Sequence, residues 1–283
     1  MDKNKIKNYN YVIYKGTGGL IHMLCGLAYC LDWCQKNSHI LIIDVISHQC
    51  YNHYISDFFI IKDVKCIYNE TYDMDLTLKF HRISVNDIKN YPNIEVDRGL
   101  GNNTHKYMLD RFNIRVGLDT YEKTSRIKIY AGPGSCKPIN LLKYFKVKPE
   151  ILKIITDHPP INNYIGVHFR NTDIKNDINN YIDKINILCN NTNINTIYLA
   201  TDDYESVEIF KNALPNKTFI MYVEPFKSNG KPIHYANDNK YNLIINLLTD
   251  IYYLEKSTHF IDSPLSLVSK LVKAMKENNN SIF

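Results

Sequence analysis

The stretch "GVHFRNTD", Gly166 to Asp173, brings an imidazole, a guanidinium and a carboxylate together at the end of the apolar run that begins at Tyr164. These are groups that hold anions and move protons. Arg170 offers a planar, permanently charged fork that matches phosphate oxygens; an ion pair with Asp173 is the purely structural alternative. Three other polar clusters follow apolar runs in the same way. They are Gly16-Thr17-Gly18-Gly19, Thr201-Asp202-Asp203 after "IYLA", and Asp262-Ser263-Pro264-Leu265-Ser266 after "HFI". Ser266 stands where a helix would begin, so it reads as a cap and as a neighbour of free amides and the positive end of a helix dipole. Asp202 and Asp203 have no third carboxylate or histidine at a metal-ligand spacing, so capping or ribose contact is expected rather than a metal site.

The elements that must carry these clusters follow from periodicity. Tyr11 to Tyr14 reads as a strand and Leu20 to Lys36 as a helix with apolar residues at three and four. Ile40 to Ile43 is a second strand closed by Asp44, and together they make a βαβ unit. Ile127 to Ala131 reads as a strand before the turn "GPGS", and Pro138 to Thr156 as helical, split at Pro149. The middle, 47–126, reads as irregular, with an aromatic-rich stretch from Tyr51 to Tyr107. The second half alternates cleanly. Strands are expected up to His168 and at Thr196–Ala200, Thr218–Val223 and His259–Ile261. Helices are expected at Tyr181–Cys189, Glu205–Ala213, Asn242–Glu255 and Ser266–Lys276. Such alternation implies parallel sheets covered by helices. The Pro159-Pro160 pair marks a joint, giving domains 1–158 and 159–283. In open sheets of this kind ligands bind beyond the carboxyl ends of the strands, where all four polar clusters fall.

Composition narrows the function classes. The chain has 283 residues, 45% of them hydrophobic, enough for two packed cores. A net charge of +5 suits an anionic small ligand; without a polybasic block, no nucleic-acid partner is expected. Seven cysteines without CxxC pairs are expected to be reduced, mostly buried thiols. The opening "MDKNKIKNYNYVIYKG" has no apolar core of a signal peptide, and no run reaches the ~20 residues of a membrane span. A soluble, cytoplasmic protein is expected, and the heavy use of Asn, Ile, Lys and Tyr points to an AT-rich viral or microbial genome. "GTGG" lacks both the dinucleotide-binding spacing and the Lys-Ser/Thr of a P-loop, which argues against a Rossmann oxidoreductase.

Taken in order, "IGVHFRNTD", "IYLATDD" and "LLTDIYYLEKSTHFIDSPLSLVSKLVKAM" resemble the GDP-fucose fucosyltransferase superfamily. The likeness is to the α1,6-fucosyltransferases and their rhizobial nodulation relatives, with the protein O-fucosyltransferases further off. "GGLIHMLCGLAYC" and "KPINLLKYFKVKPEILKII" resemble the family's opening helix and the stretch before its arginine motif. The resemblance implies a GT-B fold, α/β with two Rossmann-like domains facing a cleft, the second holding the nucleotide sugar. It implies inverting transfer of L-fucose from GDP-fucose to a glycan or glycoconjugate, with no cofactor and no metal. Arg170 and Ser266 would hold the β-phosphate, with Ser263 in the same donor loop. His168 and Asp250 would line the guanine site. Asp173, Asp202 and Asp203 would support the loops, and Gly18, Gly19 and His22 would close over the donor.

On the acceptor side the sequence departs from its relatives. Where the α1,6 enzymes have Lys directly after the motif Asp, Ile174 stands here; Lys175 comes one place later, and Asp177 is the nearest acid. Catalytic candidates are therefore Arg170, Asp177, Lys175 and His22, with Asp44 a further candidate base. This departure counts against the α1,6 linkage and an N-glycan core acceptor; the long N-terminal coil, C-terminal module and membrane anchor of the animal enzymes are not expected here, so a Golgi address does not carry over. Two other readings share the fold: a transferase of another GDP- or dTDP-linked sugar, and an inactive glycan-binding relative.

Overall fold

A computed structural model describes residues 11–14, 16, 18–45, 51–66, 68–70, 94–96, 127–130, 137–225 and 239–283. Thr17, Ala131, the "GPGS" turn and most of the 47–126 stretch lie outside them. The chain divides into two compact units, Met1–Phe145 and Lys146–Phe283. The second therefore begins upstream of Pro159-Pro160, because the helix Pro149–Ile155 packs against the helix Lys240–Lys256.

The first unit opens with β1 (Tyr11–Tyr14), α1 (Leu20–Asn37) and β2 (Ile40–Ile43). After these come β3 (Phe59–Ile61), β4 (Tyr68–Asn69), β5 (Ile94–Val96) and β6 (Ile127–Tyr130). Five strands form one sheet in the order β4-β2-β1-β6-β5, and every described pair is parallel. Helix α1 is buried on nearly all sides, which is why its sequence is apolar beyond a single stripe; Cys25, Cys30 and Cys34 are buried within it and form no disulfide.

Between Pro138 and Thr156 the chain is not the pair of helices expected. A 3-10 turn at Pro138–Asn140 leads to α2 (Leu141–Tyr144), then strand β7 (Phe145–Val147), then α3 (Pro149–Ile155). Phe145 and Val147 are buried on either side of exposed Lys146, a period of two inside a stretch whose neighbours have helical spacing. Pro149 starts α3 rather than breaking a helix, since its missing N–H is one no helix start needs.

The second unit continues with β8 (Ile165–Phe169), α4 (Ile178–Thr192), β9 (Thr196–Thr201), α5 (Tyr204–Ala213) and β10 (Thr218–Ile220). It ends with α6 (Lys240–Lys256), β11 (His259–Ile261) and α7 (Leu267–Asn278). Its four strands run parallel in the order β10-β9-β8-β11. The helices outrun the sequence expectation because polar side chains close them. Asp177, Asp203, Asn239 and Ser266 each accept a hydrogen bond from an amide of the first turn, and Asn193 and Asn279 take left-handed backbone at the far ends of α4 and α7. Strand β10 is shorter than expected because pairing with β9 stops at Ile220.

All five residues of β8 are buried, as a parallel strand covered on both faces requires. Ile165, Val167 and Phe169 pack with Tyr181, Ile185 and Cys189 of α4 and Val207 and Phe210 of α5. The intervening residues face the other layer: Gly166 lies under the end of α6, and His168 meets Ser269 of α7. A Cβ on Gly166 would come within 2.8 Å of Ser257 Oγ and 2.9 Å of its Cβ. Gly166→Ala is therefore expected to destabilise the protein by about 1–3 kcal/mol through overpacking, read as a lower melting temperature. An unchanged melting temperature would mean that α6 does not pass this close to β8.

Candidate phosphate and nucleotide site

Strand order locates the site. From β8 the chain moves to β9 and β10, then returns to β11 on the opposite side of β8. The carboxyl ends of β8 and β11 thus flank a topological switch point, where loops part and a crevice is left. Arg170 follows β8 directly, and Asp262 to Ser266 follow β11.

Arg170 is held by its neighbours along one edge. Its Nε donates to Asp173 Oδ1 at 2.8 Å, Nη2 lies 2.7 Å from the same oxygen, and Nε stands 3.7 Å from Asp202 Oδ2. The other edge, Nη1 with the second Nη2 hydrogen, makes no hydrogen bond to any described residue. The Arg170 side chain is 23% exposed. The carboxylates are fixed in turn. Asp202 accepts from the Asn171 amide at 2.7 Å and from Thr172 Oγ1 at 2.5 Å. Asp203 caps α5 and accepts from Asn171 Nδ2 and Ser206 Oγ. Burial pushes the Asp203 carboxyl up, but hydrogen bonds from Ser206, Asn171 and the Glu205 amide outweigh it and hold the group below its ordinary value.

Across the crevice, Ser266 caps α7 by accepting from the Val268 amide at 3.2 Å and donates its own amide to Ser263 O at 3.0 Å. Ser263 is fully buried, and its hydroxyl accepts from Asn176 Nδ2 at 3.2 Å. What this segment presents to the crevice is therefore the start of α7, a helix long enough to carry a dipole, with the serine hydroxyls turned inward.

His168 lies beneath Arg170 on the same face of β8. Its Nδ1 is 2.7 Å from Ser269 Oγ, which also accepts the Ser263 amide at 2.9 Å. A buried hydroxyl that accepts one bond is best satisfied by donating its hydrogen to Nδ1, which puts the imidazole proton on Nε2. Burial, then the Arg170 charge, push the His168 pKa down to about 3. Asp250 lies on α6, where Tyr198 OH of β9 donates to its Oδ1 at 2.8 Å. Burial pushes this carboxyl up to about 7, with the Tyr198 bond opposing. Around it Tyr198, Tyr222, Tyr253 and His158 form a ring cluster, with His158 stacked on Tyr222 at 4.4 Å.

Lys175 Nζ donates to Asn171 O at 2.7 Å, and Asp177 Oδ1 accepts from the Asn179 amide at 3.0 Å as the cap of α4. In the first unit, Gly16 and Gly18 have φ of 67° and 69°, the left-handed region that favours glycine. A Cβ on Gly18 would meet His22 Nδ1 at 2.8 Å, so the imidazole lies against the turn. Gly19 is the N-cap residue of α1, and Asp44 is buried just past β2. Among the described residues no group of three or more His, Cys, Asp or Glu side chains is arranged to hold a metal, and no helix is long and apolar enough to cross a membrane. Motif reasoning missed Asn171, Asn176, Tyr198 and Ser269. Only Ser269 had a usable signal, one turn after Ser266 on the same helix.

No protein-family model matches the chain, and no curated protein matches it by sequence. Solved structures do share its fold. NodZ α1,6-fucosyltransferase from Bradyrhizobium, soaked with GDP-fucose, aligns with a TM-score of 0.56 at 14% identity, covering 94% of this chain and 92% of that one. POFUT1 in complex with GDP aligns at 0.55 and 10% identity, covering 95% of each chain. A mutant of Arabidopsis thaliana FUT1 in complex with GDP aligns at 0.56 and 11% identity, covering 97% of this chain and 72% of that one.

The two buried titrating groups have opposite consequences. Asp250 has a folded pKa above its unfolded value, so its contribution is full below about pH 4 and is lost as pH rises through about 7. His168 has a folded pKa below its unfolded value, so stability falls as pH drops from about 6.5 towards 3. Asp250→Asn should accordingly shift the melting temperature, relative to the unmodified protein, more favourably at pH 8 than at pH 5. A shift equal at both values would mean that Asp250 is ionised throughout.

Proposed function

We propose that this chain is an inverting fucosyltransferase that moves L-fucose from GDP-fucose to a hydroxyl of a glycan or glycoconjugate without a metal ion. The observation that carries the reading is Arg170, held by Asp173 and Asp202, partly exposed, and placed at the same switch point as the start of α7. Fixed N–H donors aimed at the oxygens of a diphosphate are what a departing GDP needs. The likeness in fold to structures holding GDP or GDP-fucose supports the same choice of donor.

In this reading the bond from the anomeric carbon to the β-phosphate oxygen breaks as the acceptor oxygen attacks from the opposite face. Negative charge grows on the diphosphate, where Arg170 and the amides at the start of α7 receive it. Neutral His168 presents an Nε2 hydrogen, and ionised Asp250 accepts from the guanine edge, with Tyr198 fixing the carboxylate. Asp173, Asp202 and Asp203 act on the loops rather than on the donor, as does Ser263. In this reading the fold is of the GT-B kind, the second Rossmann-like domain taking the donor and the first the acceptor.

The acceptor proton goes to Asp177, His22 or Asp44. Asp177 has the best standing among them: its cap bond engages one oxygen and fixes the carboxylate, while the side chain remains exposed. Lys175, held on Asn171 O, lies in the same loop.

The test is a thermal-shift series with GDP, UDP, dTDP, NAD and GDP-fucose, followed by transfer and hydrolysis assays. Ligand at about a hundred times its Kd adds about 2.7 kcal/mol, so GDP and GDP-fucose should raise the melting temperature, and Arg170→Ala should abolish the rise. Arg170→Lys, which keeps the charge and loses the fork, should lower turnover by roughly 100- to 1,000-fold. Chelating divalent metals should leave turnover unchanged. Stabilisation by UDP or dTDP instead of GDP would sink the fucose donor; stabilisation by NAD alone would sink glycosyl transfer altogether.

A further inference from the structure

Asn176 is outside every motif, yet it ties the two sides of the crevice together. Its Nδ2 donates to the carbonyl of Arg170 and, at 3.2 Å, to Ser263 Oγ, spending both amide hydrogens. Its backbone N–H points to Asn171 Oδ1 at 3.4 Å. Asn171 in turn donates its amide to Asp202 and its side chain to Asp203, each at 2.7 Å. The loops that follow three adjacent strands, β9, β8 and β11, are thus joined through two asparagines.

The far anchor of Asn176 is buried and hydrogen-bonded. Ser263 is fully buried, its amide is held by Ser269 Oγ, and Tyr181 OH donates to the carbonyl of the preceding Asp262 at 2.8 Å. A carbonyl bonded to an amide on such an anchor cannot slide, and the side chain beyond that carbonyl is Arg170. Asp173 and Asp202 fix the guanidinium in its own loop, but they set no distance to α7. Asn176 does, because Ser263 is the residue whose carbonyl receives the Ser266 amide at the start of that helix.

We propose that Asn176 is a positioning residue for the diphosphate grip: by clamping the Arg170 carbonyl to Ser263 it holds the guanidinium and the start of α7 at the one spacing that engages a diphosphate from both sides. The proposal rests on the functional reading above. A grip made of two parts on two loops is sensitive to their separation, and misplacement by about 1 Å can cost on the order of 100-fold in rate.

The experiment compares Asn176→Asp, which keeps the shape and removes both Nδ2 hydrogens, and Asn176→Ser, which keeps one donor. Each is made alone and combined with Arg170→Lys. Melting temperature, GDP affinity by calorimetry, and kcat and KM for GDP-fucose are measured on the full chain. Asn176→Asp is expected to lower GDP affinity and kcat by roughly 10- to 100-fold, with Asn176→Ser intermediate. In the Arg170→Lys background the same change is expected to cost much less, because Asn176 works through the guanidinium it places. If the loss is equally large in that background, or absent in both single variants, Asn176 does not act through Arg170 and the proposal is overturned. If Asn176→Asp fails to fold, Asn176→Ser with its double variant decides on the same criterion. Failure of the unmodified protein to bind GDP would overturn the functional reading itself, and this role with it, an outcome distinct from normal GDP binding by the variants.

Discussion

Strand β8 is covered on both faces, and that constraint decides where the functional groups go. Side chains of a strand alternate, so the residues packing against α4 and α5 cannot be those facing α6 and α7. Ile165, Val167 and Phe169 take the first face and supply the core. Gly166 and His168 take the second, one making room for the end of α6 and the other meeting Ser269. Arg170 continues past the strand's end on the His168 side, close enough for its charge to disfavour a charged imidazole. A slip of one residue would bury Arg170 among Tyr181 and Phe210, where an uncompensated charge is very costly. The apolar alternation of β8 therefore fixes the register of the site.

Arg170 and the carboxylates around it also have to be reconciled. Two acids beside one guanidinium look self-sufficient, and an ion pair this exposed adds little to stability. Their arrangement argues for orientation instead. Asp173 takes the Nε edge, and Asp202 stands further off with its oxygens engaged by Asn171 and Thr172. Asp203 is given over to capping α5 and to Ser206 and Asn171. The acids hold the loops and one edge of the fork. The glycine turn of the first unit follows a comparable logic, since β1 lies between β2 and β6 and its loop also sits at a change of strand order.

Much of this was legible in the sequence wherever periodicity was strong. The elements of the second unit and the βαβ start of the first appear where their apolar patterns put them, and the ordered motifs pointed to the fold that the solved structures share. Three kinds of feature were not legible. Strand β7 is short and lies between helical stretches, so its period of two is swamped by its neighbours. The helix ends were drawn too short because Asn and Asp, frequent throughout this chain, carry no visible signal when they cap. The contacts of Asn176 with Ser263, of Tyr198 with Asp250 and of His168 with Ser269 join residues far apart in the chain. An asparagine in an asparagine-rich sequence cannot announce such a partner; only the strand order brings the two loops side by side.

The titrating groups on the α6 and α7 face explain why an arginine suits this position. The same desolvation that holds His168 neutral and raises Asp250 towards neutrality would also discharge a lysine more readily than a guanidinium. Arginine stays charged at any relevant pH. Keeping His168 uncharged removes a competing cation beneath the fork while leaving a hydrogen-bond donor there. The polar groups of this face thus divide the work: one permanent charge aimed outward, one neutral donor below it, and a carboxyl whose ionisation is tied to the hydroxyl of Tyr198. In the proposed reading, a face built this way would meet an anion with fixed geometry and little rearrangement.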